Sequence, residues 1–443
     1  MFSPALIRML SRFFDIRAGE AYRVGLMAFF FFFLIAANNL IKIVRDSLFL
    51  GYHLVSELPY LYILVAMVAG TVIATYSRYT TALSLTRLIL TSNATIILNL
   101  VFFWFLITFS NPGWGHYAFY VLSAIVGAIA VAQFWTLTHQ IFTSLEGKRL
   151  FGLLTAGGTV GGVAAGFGAK WLLARSFETT HLLWVAASLF LAASVLVLWA
   201  DRRLRGKYPD KELESPTKQP DERAGRIGKL IGGSRYLKII ALVILVSVVV
   251  STLIDFQFNA AAKQVHPSRE ALAVFFSSYY AWLSAATFFA QVVLTRRILA
   301  AFGLMPSLYL TPGVLLSGSL AMLVWPGLVT ATATRMADAA LRNSLHRSCM
   351  ELLYMPVPAS VKKTVKTFLD VVVERTGDAT AGFIILFYSL YAMRPYVPYV
   401  HFICVALIFL WFSLLPIARM GHLETSRRET GSRELAVKRH GGS

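Results

Sequence analysis

The dominant pattern in this sequence is a series of long apolar runs separated by short polar segments. An α-helix needs about 20 apolar residues to cross a bilayer. Six runs of this length precede a long polar segment, and six follow it. The predicted spans are 24–50, 58–76, 88–109, 117–140, 150–173, 182–200, 237–255, 272–295, 304–324, 328–346, 365–391 and 397–418. The pattern therefore predicts an all-α membrane protein with twelve transmembrane helices.

The polar segment at 201–236 is the clearest boundary in the chain. It is rich in charged residues and contains three prolines. A segment of this composition cannot bury a core, so we expect a cytoplasmic linker. The linker separates a predicted N-terminal six-helix half at 24–200 from a predicted C-terminal six-helix half at 237–418.

The two ends of the chain are basic. Residues 1–23 mix arginines with large apolar residues, which predicts an amphipathic segment on the inner membrane surface. An apolar run begins at Val24, directly after these arginines, and a basic segment followed by an apolar run resembles a signal peptide. This run is long enough to span, however, and further spans follow, so we expect a retained first helix. Residues 419–443 are expected to form a basic cytoplasmic tail.

Composition and charge agree with a polytopic membrane protein. Of the 443 residues, 57% are hydrophobic and only 14% are charged, which excludes an ordinary soluble enzyme. The net charge is +19. Of the 41 Lys and Arg residues, 31 fall in segments that face inward if the N-terminus is cytoplasmic, and six face outward. This bias predicts twelve spans with both termini in the cytoplasm, and it explains the charge without a nucleic-acid partner.

Six plus six helices around a central cytoplasmic loop is the layout of a major-facilitator carrier. Such carriers form a pseudo-symmetric bundle and bind substrate near the bilayer midplane, between two halves that rock. The sequence has two cysteines, and no residues at the spacing of metal ligands or of a nucleophile and its base. We therefore predict no enzyme activity, no cofactor and no metal, and expect a monomer whose partners are a small anionic substrate and membrane lipids.

The end of the first span carries the most informative polar residues. Asn38, Lys42 and Arg45 share one helix face, with Asn39 and Asp46 beside it. Charges at membrane depth are costly and usually point into a bundle or a watery cavity. This segment is therefore a candidate substrate-binding face for an anion, with Asp46 as a gating or coupling group. The alternative is that the two cations extend to the outer headgroups.

The tenth span contains three charges, which is rare in a membrane helix. Arg335, Asp338 and Arg342 follow one another at intervals that place them on one face. Arg342 is a candidate substrate-binding residue because the guanidinium fork can bind two phosphate oxygens at once. Arg335 and Asp338 are candidates for gating. The alternative is a permanent ion-pair ladder.

Five further residues are candidates. Asp255, at the predicted end of the seventh span, could be a gating or coupling partner, or a solvated helix end. Asp370, Glu374 and Asp378 follow at intervals of four in the eleventh span and could carry a proton or gate the inner mouth, or belong to a helix end in water. His139, in the fourth span, is a candidate substrate-binding residue, with a hydrogen-bonded interior histidine as the alternative.

Several segments resemble one known family, the ATP/ADP antiporters of intracellular bacteria and plastids. Residues 40–48, Leu-Ile-Lys-Ile-Val-Arg-Asp-Ser-Leu, resemble the family's Leu-Arg-Asp-Thr-Lys-Asp-x-Leu motif. Residues 134–141, Phe-Trp-Thr-Leu-Thr-His-Gln-Ile, are similar to Phe-Trp-x-Phe-Ala-Asn-x-Ile. Residues 351–356, Glu-Leu-Leu-Tyr-Met-Pro, are similar to Glu-Met-Ala-Tyr-Ile-Pro. The resemblance extends from about residue 38 to 380 and implies the major-facilitator fold and nucleotide exchange.

The resemblance also implies roles and shows two departures. Lys42 and Arg45 stand where the family has two cations, Asp255 where it has a Glu, and Arg342 where it has a Lys. The fourth span lacks the Glu of nucleotide-exchanging members. Asp378 replaces a Lys of the family's Gly-Lys-Ser-Gly motif, and this reversal should oppose a triphosphate by several kcal/mol.

We therefore predict a carrier in a bacterial inner membrane that moves an organic anion, a nucleotide above all, by exchange of the ATP/ADP type. One alternative is a proton-coupled transporter of another solute that uses Asp370, Glu374 and Asp378. A second is a transport-inactive membrane scaffold whose linker and tail contact partners or anionic lipids.

Overall fold

A computed structural model describes residues 20–79, 84–204, 233–357, 362, 365–366, 368–391 and 397–440. Most of the predicted N-terminal segment at 1–23 and of the predicted linker at 201–236 lies outside these residues. The described chain is helical almost throughout and contains no strand. Long apolar stretches make this the expected outcome, because a helix satisfies every backbone hydrogen bond within its own segment.

The first six helices have short connections. They are α1 (Ala21–Tyr52), α2 (Leu58–Tyr79), α3 (Leu85–Phe109), α4 (Gly113–Ile141), α5 (Ser144–Leu173) and α6 (Leu182–Leu204). Helix α5 begins with a capping box, in which the Thr143 hydroxyl accepts from the Glu146 backbone N–H and the Glu146 side chain accepts from the Thr143 N–H. Glu146 also accepts from Arg23 at 3.0 Å. Burial raises the pKa of this carboxyl, but the donors from Thr143 and Arg23 together lower it below its ordinary value.

Three of the next six helices contain π-helical turns. The helices are α7 (Arg235–Val265), α8 (Arg269–Phe302, with a π turn at Ala290–Leu294), α9 (Leu304–Val324), α10 (Leu328–Leu341, continued by a π turn at Arg342–His346 and by Arg347–Leu353), α11 (a π turn at Leu369–Val373 and then Glu374–Tyr391) and α12 (Val397–His440). Such turns occur often at functional sites.

The predicted end of the seventh helix is wrong. Helix α7 continues to Val265, so Asp255 lies inside the helix instead of at its end. A polar residue after an apolar run was taken as a boundary, whereas the backbone continues because its own hydrogen bonds are local. Helix α12 continues to His440 and takes in most of residues 419–443, whose cytoplasmic location stays a prediction.

The described residues include nine helices that are long and apolar enough to cross a membrane: α1, α3 to α9 and α12. The predicted all-α membrane fold is confirmed at this level, and the total of twelve spans stays a prediction. Contacts divide the chain into two compact units. Unit 1 is Met1–Leu54, Thr71–Pro216 and Lys263–Phe288, and unit 2 is Val55–Gly70, Thr217–Ala262 and Phe289–Ser443. The assignment of the chain to two six-helix halves stays a prediction.

Within unit 1, α1 is packed closely against α5. A Cβ atom added to Gly157 or Gly161 would overlap the backbone of Ala28 or Phe32, respectively. Only glycine permits helices to approach to this distance. This contact holds α1 as a buried central helix, and the charged segment near its C-terminal end is buried with it.

Candidate functional site

The charged segment of α1 remains helical and is buried within unit 1. The side chain of Arg45 is 15% exposed and that of Asp46 is 8% exposed. Asn38 and Asn39 are also buried, and Lys42 is partly buried. This burial contradicts, for Arg45, the alternative in which the two cations extend to the outer lipid headgroups.

Asp46 is held by two donors. The Arg45 Nε donates to Asp46 Oδ1 at 2.6 Å, and the Tyr280 hydroxyl donates to Asp46 Oδ2 at 2.6 Å. The Arg45 guanidinium also reaches the Tyr280 hydroxyl, at 3.5 Å. We call Arg45, Asp46 and Tyr280 the Asp46 triad. Both carboxylate oxygens are thereby paired, as a buried charge requires.

The two cations of α1 also contact aromatic rings. The Arg45 guanidinium carbon lies 4.5 Å from the centroid of the Tyr120 ring, and the Lys42 ammonium lies 5.8 Å from the centroid of the Tyr280 ring. A ring face attracts a cation without cancelling its formal charge. Residues 38–46 contain two cations and one carboxylate, so the side chains of this segment by themselves sum to a charge of +1.

The two asparagines differ in their hydrogen bonding. Asn39 donates to the Gly162 carbonyl at 3.4 Å and to the Ser284 hydroxyl at 3.2 Å. The Asn38 Oδ1 is buried and accepts no hydrogen bond from the described residues. A Cβ atom at Gly127 would lie 2.9 Å from this oxygen, so the glycine makes room for it. Asn38 therefore has acceptor capacity for a bound solute beside Lys42.

The structure contradicts the alternative interpretation of His139 as an interior histidine, and its substrate-binding role stays a prediction. His139 is exposed, and its ring contacts Trp135 and Phe151. It is therefore not an interior hydrogen-bonded histidine. Gly127 of the same helix lies beside Asn38, and His139 follows twelve residues later, about 18 Å further along the helix axis. The structure does not bring His139 to the cations of α1.

In unit 2, Asp255 is also held by an arginine and a tyrosine. Arg335 binds Asp255 Oδ1 at 2.8 Å, and the Tyr62 hydroxyl donates to Asp255 Oδ2 at 2.9 Å. The Asn259 amide donates to the same Oδ2 at 3.1 Å. We call Tyr62, Asp255 and Arg335 the Asp255 triad. The carboxylate is a paired group within α7, not a solvated helix end.

Asp338 lies between the two arginines of α10. Arg335 donates to it at 2.8 Å, Arg342 at 3.4 Å, and the Ser251 hydroxyl of α7 at 2.5 Å. The carboxylate is fully buried. The structure thus brings together the three charges that the sequence placed on one face, and whether they serve as a gate or a permanent ladder stays a prediction.

The two arginines of α10 differ in how fully they are bound. Arg335 bridges two carboxylates, so its guanidinium is committed to them. Arg342 donates to the Ser247 carbonyl at 2.8 Å and only weakly to Asp338, and its buried Nε has no hydrogen-bond partner among the described residues. Arg342 also begins a π-helical turn. It is therefore the better anion-binding candidate of the two.

The acidic residues of α11 do not form one group. Asp378 accepts from Thr252 at 2.9 Å and from Arg375 at 2.9 Å. Asp370 lies in a π turn and accepts from the Tyr354 hydroxyl at 3.3 Å. Glu374 lies within electrostatic range of Arg375 and of Arg342 on α10. The π turn changes the helical phase, so equal spacing in sequence does not produce one stripe.

The connected charged group of unit 2 contains more carboxylates than arginines. The connected group contains three arginines and four carboxylates, namely Arg335, Arg342, Arg375, Asp255, Asp338, Glu374 and Asp378. It therefore carries one excess negative charge if all are ionised. Within the described residues, no group of three His, Cys, Asp or Glu side chains could hold a metal ion.

Sequence reasoning missed the hydroxyl partners of these charges. Tyr62, Tyr280 and Tyr120 contact charged site residues, as do Ser251 and Thr252. Each lies in an apolar run and looks like an ordinary membrane-helix residue. No sequence signal distinguishes these tyrosines from the other tyrosines, because their role depends on helices distant in sequence.

Comparison with known proteins gives a family match over more than half of the chain. The model of the family described as TLC ATP/ADP transporter matches residues 61–325. Among curated proteins, ADP,ATP carrier protein 1 of Chlamydia muridarum is 24% identical over 340 residues, covering 68% of this chain and 64% of that protein. ADP,ATP carrier protein 4 of Rickettsia prowazekii is 23% identical over 321 residues, covering 63% of this chain and 62% of that protein.

A plastid protein matches as well. ADP,ATP carrier protein 1, chloroplastic, of Arabidopsis thaliana is 22% identical over 336 residues, covering 68% of this chain and 53% of that protein. The matched part of the chain therefore spans less than two thirds of the length of each of these relatives.

Solved structures share the fold. A nucleoside transporter, NupG, matches with a TM-score of 0.66 at 10% identity, covering 89% of this chain and 99% of that one. The E. coli fucose:proton symporter FucP matches with a TM-score of 0.55 at 14% identity, covering 90% and 99%. A further FucP structure, described as a major facilitator superfamily transporter, has a TM-score of 0.53. The fold is therefore that of major-facilitator transporters.

Proposed function

The chain belongs to the TLC ATP/ADP transporter family, and from that premise we propose that it is a membrane carrier that exchanges nucleotides of the ATP/ADP type by alternating access. The names of the bacterial and plastid relatives support a nucleotide substrate. We further propose a multi-pass location in a bacterial inner membrane with both termini in the cytoplasm, and a monomeric carrier.

The observation that carries the proposal is the buried cationic segment of α1. Asp46 pairs with Arg45, and the Lys42 ammonium lies over the Tyr280 ring beside this pair. Because cations at membrane depth cost free energy, they are retained mainly where function requires them. A phosphate group would bind these cations, and the buried Asn38 oxygen would accept a hydrogen bond from the same solute.

In unit 2 the proposed phosphate-binding group is Arg342. Its buried Nε has no hydrogen-bond partner among the described residues, so part of the guanidinium is available to an anion. Asp338 and the Ser247 carbonyl fix the orientation of this guanidinium. Arg335 and Asp338 would not bind substrate in this scheme. Their proposed role is to change partners during the transport cycle.

Counter-exchange in proteoliposomes tests the proposal. Liposomes that contain purified protein and unlabelled ADP are supplied with labelled ATP outside. We expect uptake that depends on internal ADP, is lost in Lys42→Ala and is strongly reduced in Arg342→Ala. Lys238→Ala removes an exposed lysine outside the cluster and is the matched control. Uptake no greater than that of empty liposomes would overturn the nucleotide substrate.

The carboxylates of unit 2 favour a second candidate function, a proton-coupled transporter of another solute. The connected group has one more carboxylate than it has arginines, and Asp378 stands where the family has a lysine. A proton shared within this group would restore neutrality. Such a carrier would use Asp370, Glu374 and Asp378 to couple solute movement to proton movement.

Proton entry distinguishes the two functions. Liposomes that enclose a pH-sensitive dye are supplied in turn with ATP, amino acids and polyamines. Acidification on addition of an amino acid or polyamine, lost in Asp378→Asn, would support the second candidate. ADP-dependent ATP uptake without acidification would support nucleotide exchange.

A further inference from the structure

Two triads of the same composition occur in different parts of the chain, and Asp46 is more deeply buried than Asp255. In the Asp46 triad, Arg45 and the Tyr280 hydroxyl each bind one oxygen of Asp46. In the Asp255 triad, Arg335 and the Tyr62 hydroxyl each bind one oxygen of Asp255. Each aspartate is therefore bound by one arginine and one tyrosine, and in each case the tyrosine comes from another helix.

The surroundings of the two aspartates are also repeated. Asn39 lies seven positions before Asp46, and Val248 lies seven positions before Asp255. A Cβ atom added to Gly162 of α5 would lie 2.9 Å from the Asn39 amide nitrogen. A Cβ atom added to Gly377 of α11 would lie 2.8 Å from the Val248 side chain. The first helix and the seventh thus carry their aspartate at the same distance from a close glycine contact.

The helices that supply the tyrosines correspond as well. Gly166 of α5 lies against Ala281, the residue after Tyr280 on α8. Gly382 of α11 lies against Ile63, the residue after Tyr62 on α2. Carriers of this fold are built from internal repeats. The two triads therefore occupy equivalent places in two repeats of one structural plan.

Each triad joins a helix of the predicted N-terminal half to a helix of the predicted C-terminal half. The Asp46 triad joins α1 to α8, and the Asp255 triad joins α2 to α7. Under the predicted orientation, each aspartate lies in the outer part of its helix, and each tyrosine lies in the outer part of its own. Contacts of this kind form in one conformer of a rocking carrier and break in the other.

We propose that Tyr280 and Tyr62 are paired positioning residues that hold Asp46 and Asp255 in the outward-closed conformer, and that both hydroxyls must release their aspartates before the carrier opens to the outside. This inference rests on the proposed alternating-access function and adds two residues to it. Tyr280 and Tyr62 do not bind substrate in this scheme. They set the population of the conformer in which the outer side is closed.

The expected size of the effect follows from the chemistry of the contact. A phenol donates to an ionised carboxylate that is buried in the Asp46 triad and partly buried in the Asp255 triad, and hydrogen bonds to a charged group are a strong class. Loss of one such bond from a single conformer shifts a two-state equilibrium by roughly ten-fold or more. Because both triads belong to the same conformer, either substitution should shift the same equilibrium.

A buried reporter thiol tests the proposal without any transport measurement. Ser277 of α8 lies one turn before Tyr280, is fully buried, and its hydroxyl donates only to its own helix. Ser277→Cys is made in a chain whose Cys349 and Cys404 are replaced by alanine. Labelling by a membrane-impermeant maleimide is then followed in intact cells. We expect Tyr280→Phe and Tyr62→Phe each to raise the labelling rate roughly ten-fold, and the double variant to raise it at least as far.

Tyr236→Phe is the matched control. Tyr236 is buried, and its hydroxyl donates to the Leu353 carbonyl at 2.7 Å within the predicted C-terminal half. The same atom is removed, so a general loss of stability would affect this variant too, whereas the proposal expects its labelling rate to equal that of the parent.

The response to Tyr62→Phe decides the outcome. Tyr62 belongs to unit 2 and the reporter to unit 1, so this variant tests whether one conformational equilibrium governs both. An unchanged labelling rate in Tyr62→Phe would overturn the pairing, and an equal rise in Tyr236→Phe would overturn the specific role of the triads. Neither result depends on ATP or ADP uptake, so failure of this inference is distinguishable from failure of the proposed nucleotide exchange.

Discussion

The two units surround their buried charges with different chemistry. In unit 1, Arg45 pairs with Asp46, and Tyr120 and Tyr280 present ring faces to Arg45 and Lys42. In unit 2, four carboxylates are interleaved with three arginines. An aromatic face stabilises a cation but leaves its charge available to an anion, whereas a carboxylate cancels it. The α1 segment of unit 1 is therefore better suited to accept negative charge than the charged group of unit 2.

The difference also separates residues that look alike in sequence. Arg335 and Arg342 lie on one helix, yet only Arg342 keeps unused donor capacity, because Asp255 and Asp338 occupy Arg335. The number of arginines in a span is thus a poor guide to anion binding. The number of carboxylates that each arginine must share is a better one.

The largest expected effect is on the stability of unit 2. Asp338→Ala leaves two arginines partly unpaired in the interior, and removing one partner of a buried ion pair costs about 3–5 kcal/mol. Asp46→Ala should cost less, about 1–3 kcal/mol, because Arg45 keeps its contact with the Tyr120 ring. Thermal unfolding in detergent would measure both, and a smaller loss for Asp338→Ala than for Asp46→Ala would break the comparison.

The next effect concerns substrate affinity. Lys42→Gln removes one of the two cations of the α1 segment, and Arg342→Gln removes a cation of unit 2 whose Nε is unused. Each should weaken ATP binding by roughly 10- to 100-fold, the value of one charge-assisted hydrogen bond. The change in affinity can be measured from the concentration of unlabelled ATP that is needed to inhibit uptake of labelled ATP in the exchange assay. If Lys42→Gln binds ATP as the wild type does, the cationic character of unit 1 has no part in recognition.

A smaller effect is expected from Asp378→Asn. This variant removes one negative charge from the connected charged group of unit 2. Thr252 can still donate to the side-chain oxygen that remains. We expect affinity for ATP to rise a few-fold, since one repulsive charge at intermediate dielectric is lost. Exchange measured at several ATP concentrations would detect the change. A lower affinity would mean that Asp378 matters through its pairing with Arg375, not through its charge.

The smallest effect is expected at the start of α5, outside the apolar core of unit 1. Glu146→Gln retains the capping geometry but loses the charge that binds Arg23, at a cost below about 1 kcal/mol at neutral pH. The folded state lowers the pKa of Glu146, so this contribution is present above the unfolded pKa and is lost as pH falls through the folded value. We therefore expect the difference between the thermal unfolding midpoints of the variant and the wild type to become smaller as the pH is lowered into the acid range.

The sequence correctly indicated much of the fold. Apolar runs of spanning length predicted helices, and each predicted run overlaps a helix of the structure. The motif at residues 40–48 led to the family that the comparison confirms. Helix ends were less predictable, as Asp255 illustrates, because a polar residue can continue a helix when a partner from another helix satisfies its side chain.

The candidate site was predictable only in part. Charges at unusual depth, such as Lys42 and Asp338, are visible in sequence because burying them is costly. His139 was misplaced because neither its type nor its neighbours in sequence reveal which side of α4 it faces. Tyr280 and Tyr62 were missed because a tyrosine in an apolar run gives no sign of its partner.

The sequence by itself determined the class of protein, the helices and the positions of the costly charges, since these depend on local composition and on the transfer of each residue from water to membrane. Only the tertiary structure decided which charge cancels which. Hydrogen bonds and ion pairs act over a few ångströms, and the atoms that make them here come from residues more than 190 positions apart, such as Tyr62 with Asp255 and Asp46 with Tyr280. Packing of the helices creates those distances, and the linear order of the residues does not contain them.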